Sequence, residues 1–196
     1  QESQRRGAAI VHISTDYVFK GDQPEPRDEN DPVDPQSIYG KTKLEGEENA
    51  KLNPKHIILR TSWLYSIYGN NFVKTIRRIA SQQEQINVVS DQWGSPTSAH
   101  DLAKAIIVAL EKPKYGIYHF SNEGATSWAI FAQEIIELSG LDCKVNYITT
   151  QEYPTPAVRP EYSLMSKAKF TKDFKVQIAE WEASLEEVIQ KLNKQS

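Results

Sequence analysis

The sequence predicts an α/β fold built on a doubly wound, mainly parallel sheet. Short apolar segments rich in β-branched residues alternate with longer amphipathic segments, as strands and helices do in parallel sheets. The apolar segments are typical of strands that are buried on both faces. With 196 residues, 39% of them hydrophobic, the chain is also long enough to bury a core.

The first half of the chain opens with an apolar strand and a loop rich in proline and acidic residues. Asp34 and Pro35 then suit the start of a helix, because a carboxylate caps free N–H groups and proline fits the first turn. Phe72, Ile76 and Ile79 share one face of a later helix. The predicted elements are strand 8–14, loop 21–34, helix 34–52, strand 56–63, helix 71–83 and strand 86–89.

The second half repeats the alternation of helices and strands. Ser98 followed by Asp101 resembles a capping box, and Gly140 is suited to end a helix. Trp181 and Leu185 begin an amphipathic pattern near the C-terminus. The predicted elements are helix 98–110, strand 116–121, helix 126–139, strand 145–148, a proline-rich loop 153–160 and helix 181–192.

Composition narrows the classes of partner. The formal net charge is -3, with acidic and basic residues interspersed, so we expect neither a nucleic-acid nor a membrane partner. No apolar run approaches the roughly 20 residues that a membrane-spanning helix needs. The single cysteine, Cys143, cannot form an internal disulfide, and this favours a reducing, cytoplasmic location.

The sequence predicts no metal site. Its four histidines are scattered, without Cys or carboxylate partners at the spacing of metal ligands. Glu45, Glu47 and Glu48 are interpreted as a solvated helix face. Mg²⁺ stays open as a cofactor, because surface carboxylates can bind it, but no ligand set is assignable.

Tyr39 and Lys43 lie four residues apart in a predicted helix and therefore share one face. A phenol can donate a proton, and a nearby ammonium stabilises the phenolate that is left. Reduction of a ketone needs a hydride on carbon and a proton on oxygen, and this pair suits the proton transfer. The spacing alone is weakly specific, because plain surface helices also contain it.

Ser14, Thr15 and Asp16 lie at the C-terminal end of the first predicted strand, where ligands bind in open α/β sheets. A hydroxyl there can hydrogen-bond either a reacting carbonyl or the phenol of Tyr39. Local turn capping is the alternative interpretation of Ser14 and Thr15. The glycine-rich phosphate loops G-x-G-x-x-G and G-x-x-x-x-G-K-[ST] do not occur in the 196 residues.

Six ordered motifs extend this pattern along the chain. They are STDYVF (14–19), YGKTKLEGE (39–47), RTSWLY (60–65), NNF (70–72), DQWGSPT (91–97) and PTPAVRP (154–160). Together they resemble the dTDP-4-dehydrorhamnose reductases, a family of the extended short-chain dehydrogenase/reductase superfamily. The resemblance runs from about Ala8 to the C-terminus. The family's preceding segment, with its glycine-rich loop and first strands, has no counterpart in these residues.

The resemblance implies a partial Rossmann-like sheet with a small C-terminal α/β substrate-binding lobe. Residues 1–90 are expected to form the C-terminal part of the NAD(P)-binding domain, with the catalytic tyrosine and lysine. Residues 91–196 are expected to form mainly the lobe, with a Rossmann helix and strand interleaved around 98–121. We expect residues 1–196 alone to be inactive.

The family's catalytic roles carry over to matching positions. The resemblance implies that Tyr39 donates the proton, and that Lys43 binds the nicotinamide ribose and tunes Tyr39. Thr15 is implied to adjust the fit between Tyr39 and the substrate oxygen. The backbone near Ile13 is implied to face the nicotinamide.

Further positions match the family's substrate contacts. These implied contacts are Thr15, Asp16, Tyr17, Trp63, Asn71 and Arg159. The fork of an arginine suits a diphosphate. The residues alone leave other interpretations open: Trp63 as packing, Asn71 as a helix cap and Arg159 as a surface loop residue.

The implied reaction is the NADPH- or NADH-dependent reduction of dTDP-4-dehydro-L-rhamnose to dTDP-L-rhamnose, for cell-surface polysaccharide biosynthesis. Two alternatives stay open. One is a nucleotide-sugar epimerase or dehydratase of the same superfamily. The other is a non-catalytic subunit that resembles the regulatory subunit of methionine adenosyltransferase. A homodimer formed through an exposed sheet edge is also expected.

Overall fold

A computed structural model describes residues 2–155 and 159–194. Its helices are α1 (Glu2–Arg5), α2 (Ile38–Lys51), α3 (Phe72–Ala80), α4 (Ala99–Glu111), α5 (Trp128–Leu138), α6 (Ala168–Phe174) and α7 (Trp181–Asn193). Its strands are β1 (Ile10–Thr15), β2 (His56–Thr61), β3 (Leu64–Tyr65), β4 (Gln85–Val89), β5 (Trp93–Gly94), β6 (Thr97–Ser98), β7 (Gly116–His119), β8 (Thr126–Ser127), β9 (Lys144–Ile148) and β10 (Tyr162–Ser163). None of these helices is long and apolar enough to cross a membrane.

A three-stranded parallel sheet in the order β1-β2-β7 carries the site described below. β1 and β2 run in register from Ile10 opposite His56 to Thr15 opposite Thr61, so both strands end at the same level. Parallel strands joined through helices are the arrangement predicted from the sequence. The α/β fold class is therefore confirmed.

The sheet is covered on both faces. Ile57 and Leu59 of β2 pack in one core with residues of α4, β7 and α6, among them Leu102, Tyr118 and Phe170. Side chains alternate along a strand, so the intervening residues of β2 face the opposite side. There α2 packs on β1 and β2.

A second hydrophobic core is built mainly by later elements of the chain, and the elements that share it are called the lobe below. It joins α3, α5 and α7 to the parallel pair β4-β9, through residues such as Ile76, Val88, Phe131, Ile135 and Leu185. Helix α3 and strand β4, which precede residue 90, therefore share a core with the later helices. The domain boundary at residue 90 stays a prediction.

Several predicted element ends shift for local reasons. Helix α2 begins at Ile38, because the hydroxyl of Ser37 caps it by accepting from the backbone N–H of Gly40 at 3.0 Å. The start predicted at Asp34 is wrong, since the backbone N–H of Asp34 donates instead to the Val18 carbonyl. β2 stops at Thr61, before Trp63, whose φ of 47° is incompatible with a strand.

The capping box predicted at Ser98 and Asp101 is absent from the described residues. Ser98 precedes α4 but makes no side-chain capping bond. The carboxylate of Asp101 instead accepts hydrogen bonds from Asn122 and Ser184. Asp101 therefore links the first turn of α4 to α7.

The interpretation of Glu47 as part of a solvated helix face is wrong. Glu47 is fully buried, and Arg60 of β2 is only 2% exposed. The Arg60 guanidinium donates two hydrogen bonds to the two Glu47 carboxylate oxygens, from Nε at 2.9 Å and from Nη2 at 2.8 Å. This bidentate ion pair ties α2 to the central strand of the sheet.

Replacing Glu47 with Gln should destabilise the protein by about 3–5 kcal/mol, because it leaves the Arg60 charge buried without its partner. The free energy of unfolding in urea measures this. Glu45→Gln is the matched control, since Glu45 is an exposed residue of the same helix. Equal stability of the two variants would contradict a structural role for the pair.

Candidate active site

A cleft of about 800 Å³ opens at the carboxyl ends of β1 and β2. This is the position where open α/β sheets bind ligands. All but one of the predicted site residues line it, namely Ile13, Thr15, Asp16, Tyr17, Tyr39, Lys43, Trp63 and Arg159. The sequence-derived site is thus assembled in one place, although the role of each residue stays a prediction.

Asn71 is the predicted site residue that is not among those lining the cleft. Its side-chain oxygen caps α3 by accepting from the backbone N–H of Lys74, and its amide donates to the carbonyls of Ser66 and Tyr68. These contacts correspond to the helix-cap interpretation. The predicted substrate contact of Asn71 gains no support from this geometry.

Tyr39 and Lys43 project from α2 into the cleft. The Tyr39 ring is about half exposed and meets the Tyr17 ring edge-on, with the centroids 5.6 Å apart. The Lys43 ammonium donates a hydrogen bond to the carbonyl of Ile13 in β1. The arrangement therefore places an accessible phenol and an ammonium group beside the end of β1.

A close contact at Gly40 sets the position of Tyr39. A Cβ at residue 40 would lie 2.3 Å from the carbonyl oxygen of Tyr17, which belongs to the backbone and cannot rotate away. Only glycine allows α2 to approach the Tyr17 turn this closely. The sequence signal for this contact was the position of Gly40 inside a predicted helix. Glycine lowers the stability of a helix and is expected there only where packing requires it.

Thr15 and Asp16 form a hydrogen-bonded pair at the end of β1. The Thr15 hydroxyl donates to the Asp16 carboxylate at 2.9 Å and accepts from the backbone N–H of Tyr17 at 3.3 Å. Burial raises the pKa of Asp16 to about 6, and hydrogen bonds from Ser163 and Thr15 offset part of that rise. Asp16 therefore titrates just below neutral pH.

Tyr17 and Arg159 complete the polar wall of the cleft. Burial raises the pKa of Tyr17, the Asp16 charge adds to the rise, and the Arg159 charge opposes it. Tyr17 is consequently a neutral hydrogen-bonding group at physiological pH. Of the PTPAVRP motif around Arg159, residues 156–158 lie outside the described residues.

Two tryptophans form the apolar wall. The Trp63 and Trp128 rings stack with centroids 3.6 Å apart and an interplanar angle of 12°. Gly94 lies against Trp63, where a Cβ would come within 2.6 Å of the indole. Trp128 also packs on Phe72 and Phe131 of the lobe core. No local sequence signal distinguishes Trp128 from a core tryptophan, so its position at the cleft was not predicted.

The sequence matches the family model described as the RmlD substrate binding domain over residues 1–194. The chain belongs to this family. The resemblance noted in the sequence is therefore confirmed. A match along almost the whole chain covers all of the described cleft.

Individual relatives agree with the family match. The spore coat polysaccharide biosynthesis protein SpsK of Bacillus subtilis is 46% identical, over 96% of this chain and 66% of that protein. A Clostridium acetobutylicum structure described as a dTDP-4-dehydrorhamnose reductase is 47% identical, with a TM-score of 0.94 over 97% of this chain and 68% of that one. The Bacillus anthracis dTDP-4-dehydrorhamnose reductase, solved in complex with NADP, is 43% identical, with a TM-score of 0.93 over 96% and 68%.

The chain spans about two thirds of the length of the curated relatives it matches. This RmlD-family chain contains the Tyr39–Lys43 helix and the lobe.

Gly40→Ala should destabilise the protein by at least 1 kcal/mol, because the added methyl group clashes with the Tyr17 carbonyl and pushes α2 outward. Gly46→Ala is the matched control in the same helix, where the new Cβ meets only the His12 side chain at 3.0 Å. Thermal unfolding measures both. A Gly40→Ala protein at least as stable as Gly46→Ala would contradict the close contact.

Asp16 should also make stability depend on pH. Its folded-state pKa is raised from 3.8 to about 6, so the neutral form contributes stability below pH 3.8 that is lost as the pH rises through about 6. Asp16→Asn should lack this loss. Relative to the variant, the wild type should therefore lose about 3 kcal/mol over that window.

Chemical denaturation of both proteins across this pH range measures the difference. Asp22→Asn is a control of opposite sign, because the hydrogen bond from Lys20 lowers the pKa of exposed Asp22 and confines its effect to pH values below 3.8. Its effect should be small, since solvent screens the pair. A wild type and Asp16→Asn variant with parallel pH profiles would contradict the raised pKa.

Proposed function

We propose that the protein reduces dTDP-4-dehydro-L-rhamnose to dTDP-L-rhamnose with NADPH or NADH, in the synthesis of cell-surface polysaccharide. The observation that carries this proposal is the convergence of Tyr39, Lys43 and Thr15 on one cleft at the end of β1. The names of the reductases in Clostridium acetobutylicum and Bacillus anthracis support the substrate class.

The cleft residues suit a nicotinamide nucleotide. Lys43 presents an ammonium group and Tyr39 a phenol on one helix face, and a ribose offers hydroxyl groups to both. Ile13 contributes its backbone to the same wall. The bound nucleotide supplies a hydride. A complex with NADP is described for the Bacillus anthracis relative.

Proton transfer is the step that this chain performs. Tyr39 donates its phenolic proton to the ketone oxygen as the hydride reaches the carbon. The Lys43 ammonium stabilises the phenolate by its charge. Thr15, at the adjacent strand end, holds the reacting groups in register.

The sugar nucleotide is proposed to lie between the polar and apolar walls. Arg159 suits the diphosphate, because its guanidinium donates hydrogen bonds in a planar fork. Trp63 and Trp128 suit the apolar faces of a deoxysugar. Asp16 and Tyr17 are proposed to face the sugar from the polar wall.

We further propose that the protein forms a homodimer and acts in the cytoplasm. A cytoplasmic homodimer suits a sugar-nucleotide enzyme of this class. Light scattering of the complete protein tests the dimer. Among the described residues, no group of three or more His, Cys, Asp or Glu side chains is arranged to hold a metal ion. Mg²⁺ dependence is tested by adding a chelator.

Tyr39→Phe in the complete protein should lower kcat by about 10²–10⁴-fold and leave KM nearly unchanged, because the proton donor is lost while the ring remains. NADPH oxidation driven by dTDP-4-dehydrorhamnose measures this. Tyr68→Phe is the control, since Tyr68 is an exposed tyrosine outside the cleft.

Two results would contradict the proposal. Sugar conversion without net NADPH consumption would indicate an epimerase or dehydratase. No turnover by the wild type would indicate a non-catalytic subunit.

A further inference from the structure

Asp16 borders the cleft but is not paired with a basic side chain. It is 4% exposed, and no ion pair joins it to a lysine or arginine in residues 2–155 and 159–194. Burying an unpaired carboxylate is unfavourable. A group kept at this position despite that cost calls for a chemical explanation.

The hydrogen bonds of Thr15 provide a chemical explanation for the buried Asp16 carboxylate. A hydroxyl has one proton to donate and two lone pairs that accept. The Thr15 proton is directed to the Asp16 carboxylate at 2.9 Å, and one lone pair accepts from the Tyr17 backbone N–H. The second lone pair of the Thr15 oxygen is left to accept another hydrogen bond. While Asp16 is ionised, Thr15 therefore cannot donate a hydrogen bond into the cleft.

We propose that Asp16 is a positioning residue: its carboxylate holds the only hydroxyl proton of Thr15, so that Thr15 offers the cleft a hydrogen-bond acceptor. This rests on the proposed reductase function and sharpens it. The acceptor takes a proton from a hydroxyl group, either the Tyr39 phenol or a hydroxyl of the substrate. The ketone oxygen, which itself needs a donor, then receives its proton from Tyr39 alone.

Protonation of Asp16 reverses this orientation. A neutral carboxyl group has a proton of its own to donate to Thr15, and the Thr15 proton then becomes free to face the cleft. Tyr17, Tyr39, Lys43 and Arg159 are the other titratable or charged side chains that line the cleft. Since burial raises the pKa of Asp16 to about 6, this reversal lies just below neutral pH.

A double-mutant cycle in the complete protein tests the proposal by activity. Asp16→Leu, which has no acceptor for the Thr15 proton, should lower kcat by about tenfold in the wild-type background and remove the acid limb of the pH–rate profile near pH 6. In the Thr15→Val background it should have no further effect, because Asp16 acts through Thr15. A change in kcat would identify the Tyr39 phenol as the hydroxyl that donates to Thr15. A change in KM would identify a hydroxyl of the substrate instead.

Infrared titration of the Asp16 carboxyl band, identified by its loss in Asp16→Asn, tests the same link without turnover. Thr15→Val should shift the titration midpoint upward, because the charged form loses its hydrogen bond, and Thr15→Ser should restore it. An unmoved midpoint in Thr15→Val would overturn the proposal. So would an Asp16→Leu variant that lowers kcat equally in the wild-type and Thr15→Val backgrounds, since Asp16 would then act without Thr15. If the wild type has no reductase activity, the proposed function fails and the infrared result alone decides on the Asp16–Thr15 link.

Discussion

The buried ion pair between Glu47 and Arg60 is the interaction on which the site geometry depends. It joins α2 to β2 through two hydrogen bonds, with both side chains almost completely removed from solvent. Desolvating two charges is unfavourable, and the bidentate geometry offsets that cost only when both partners are in place. Because Tyr39 and Lys43 belong to the same helix as Glu47, the pair also fixes where they stand relative to the strand ends.

The side chains around Arg60 favour its positive charge. Its guanidinium lies 5.0 Å from the centre of the Phe19 ring, within the range of a cation–π contact. Burial and, to a smaller extent, the nearby Arg60 charge together lower the pKa of His119 to about 3. His119 is therefore neutral at physiological pH and adds no second positive charge.

Two further constraints connect α2 to the cleft. The capping of α2 by Ser37 and the approach of Gly40 to the Tyr17 carbonyl determine where the helix begins and how near it lies to β1. The lobe contributes the opposite wall, because Trp128 belongs to the aromatic cluster around Phe131. The cleft is therefore formed where the sheet and the lobe meet.

Strand periodicity in the sequence predicted the parallel fold. The six ordered motifs and the resemblance that they carry predicted most of the cleft, since the Tyr39–Lys43 spacing alone is weakly specific. The sequence did not predict the burial of Glu47, since three nearby glutamates look alike until the partner on β2, Arg60, is known. The short helix α6 was also missed. The position of Trp128 at the cleft was also missed, because its stacking on Trp63 joins residues that are distant in sequence. Contacts of this kind depend on tertiary structure, which local pattern does not encode.

The most direct test of this account is a crystal structure of the complete protein with NADPH and an unreactive analogue of the 4-keto sugar. The account predicts that the Tyr39 hydroxyl lies within hydrogen-bond distance of the oxygen at C4. It also predicts that Lys43 has exchanged its bond to the Ile13 carbonyl for the nicotinamide ribose, with the Glu47–Arg60 pair unchanged. A sugar bound away from Tyr39, or Lys43 still bonded to Ile13 with the nucleotide in place, would contradict it.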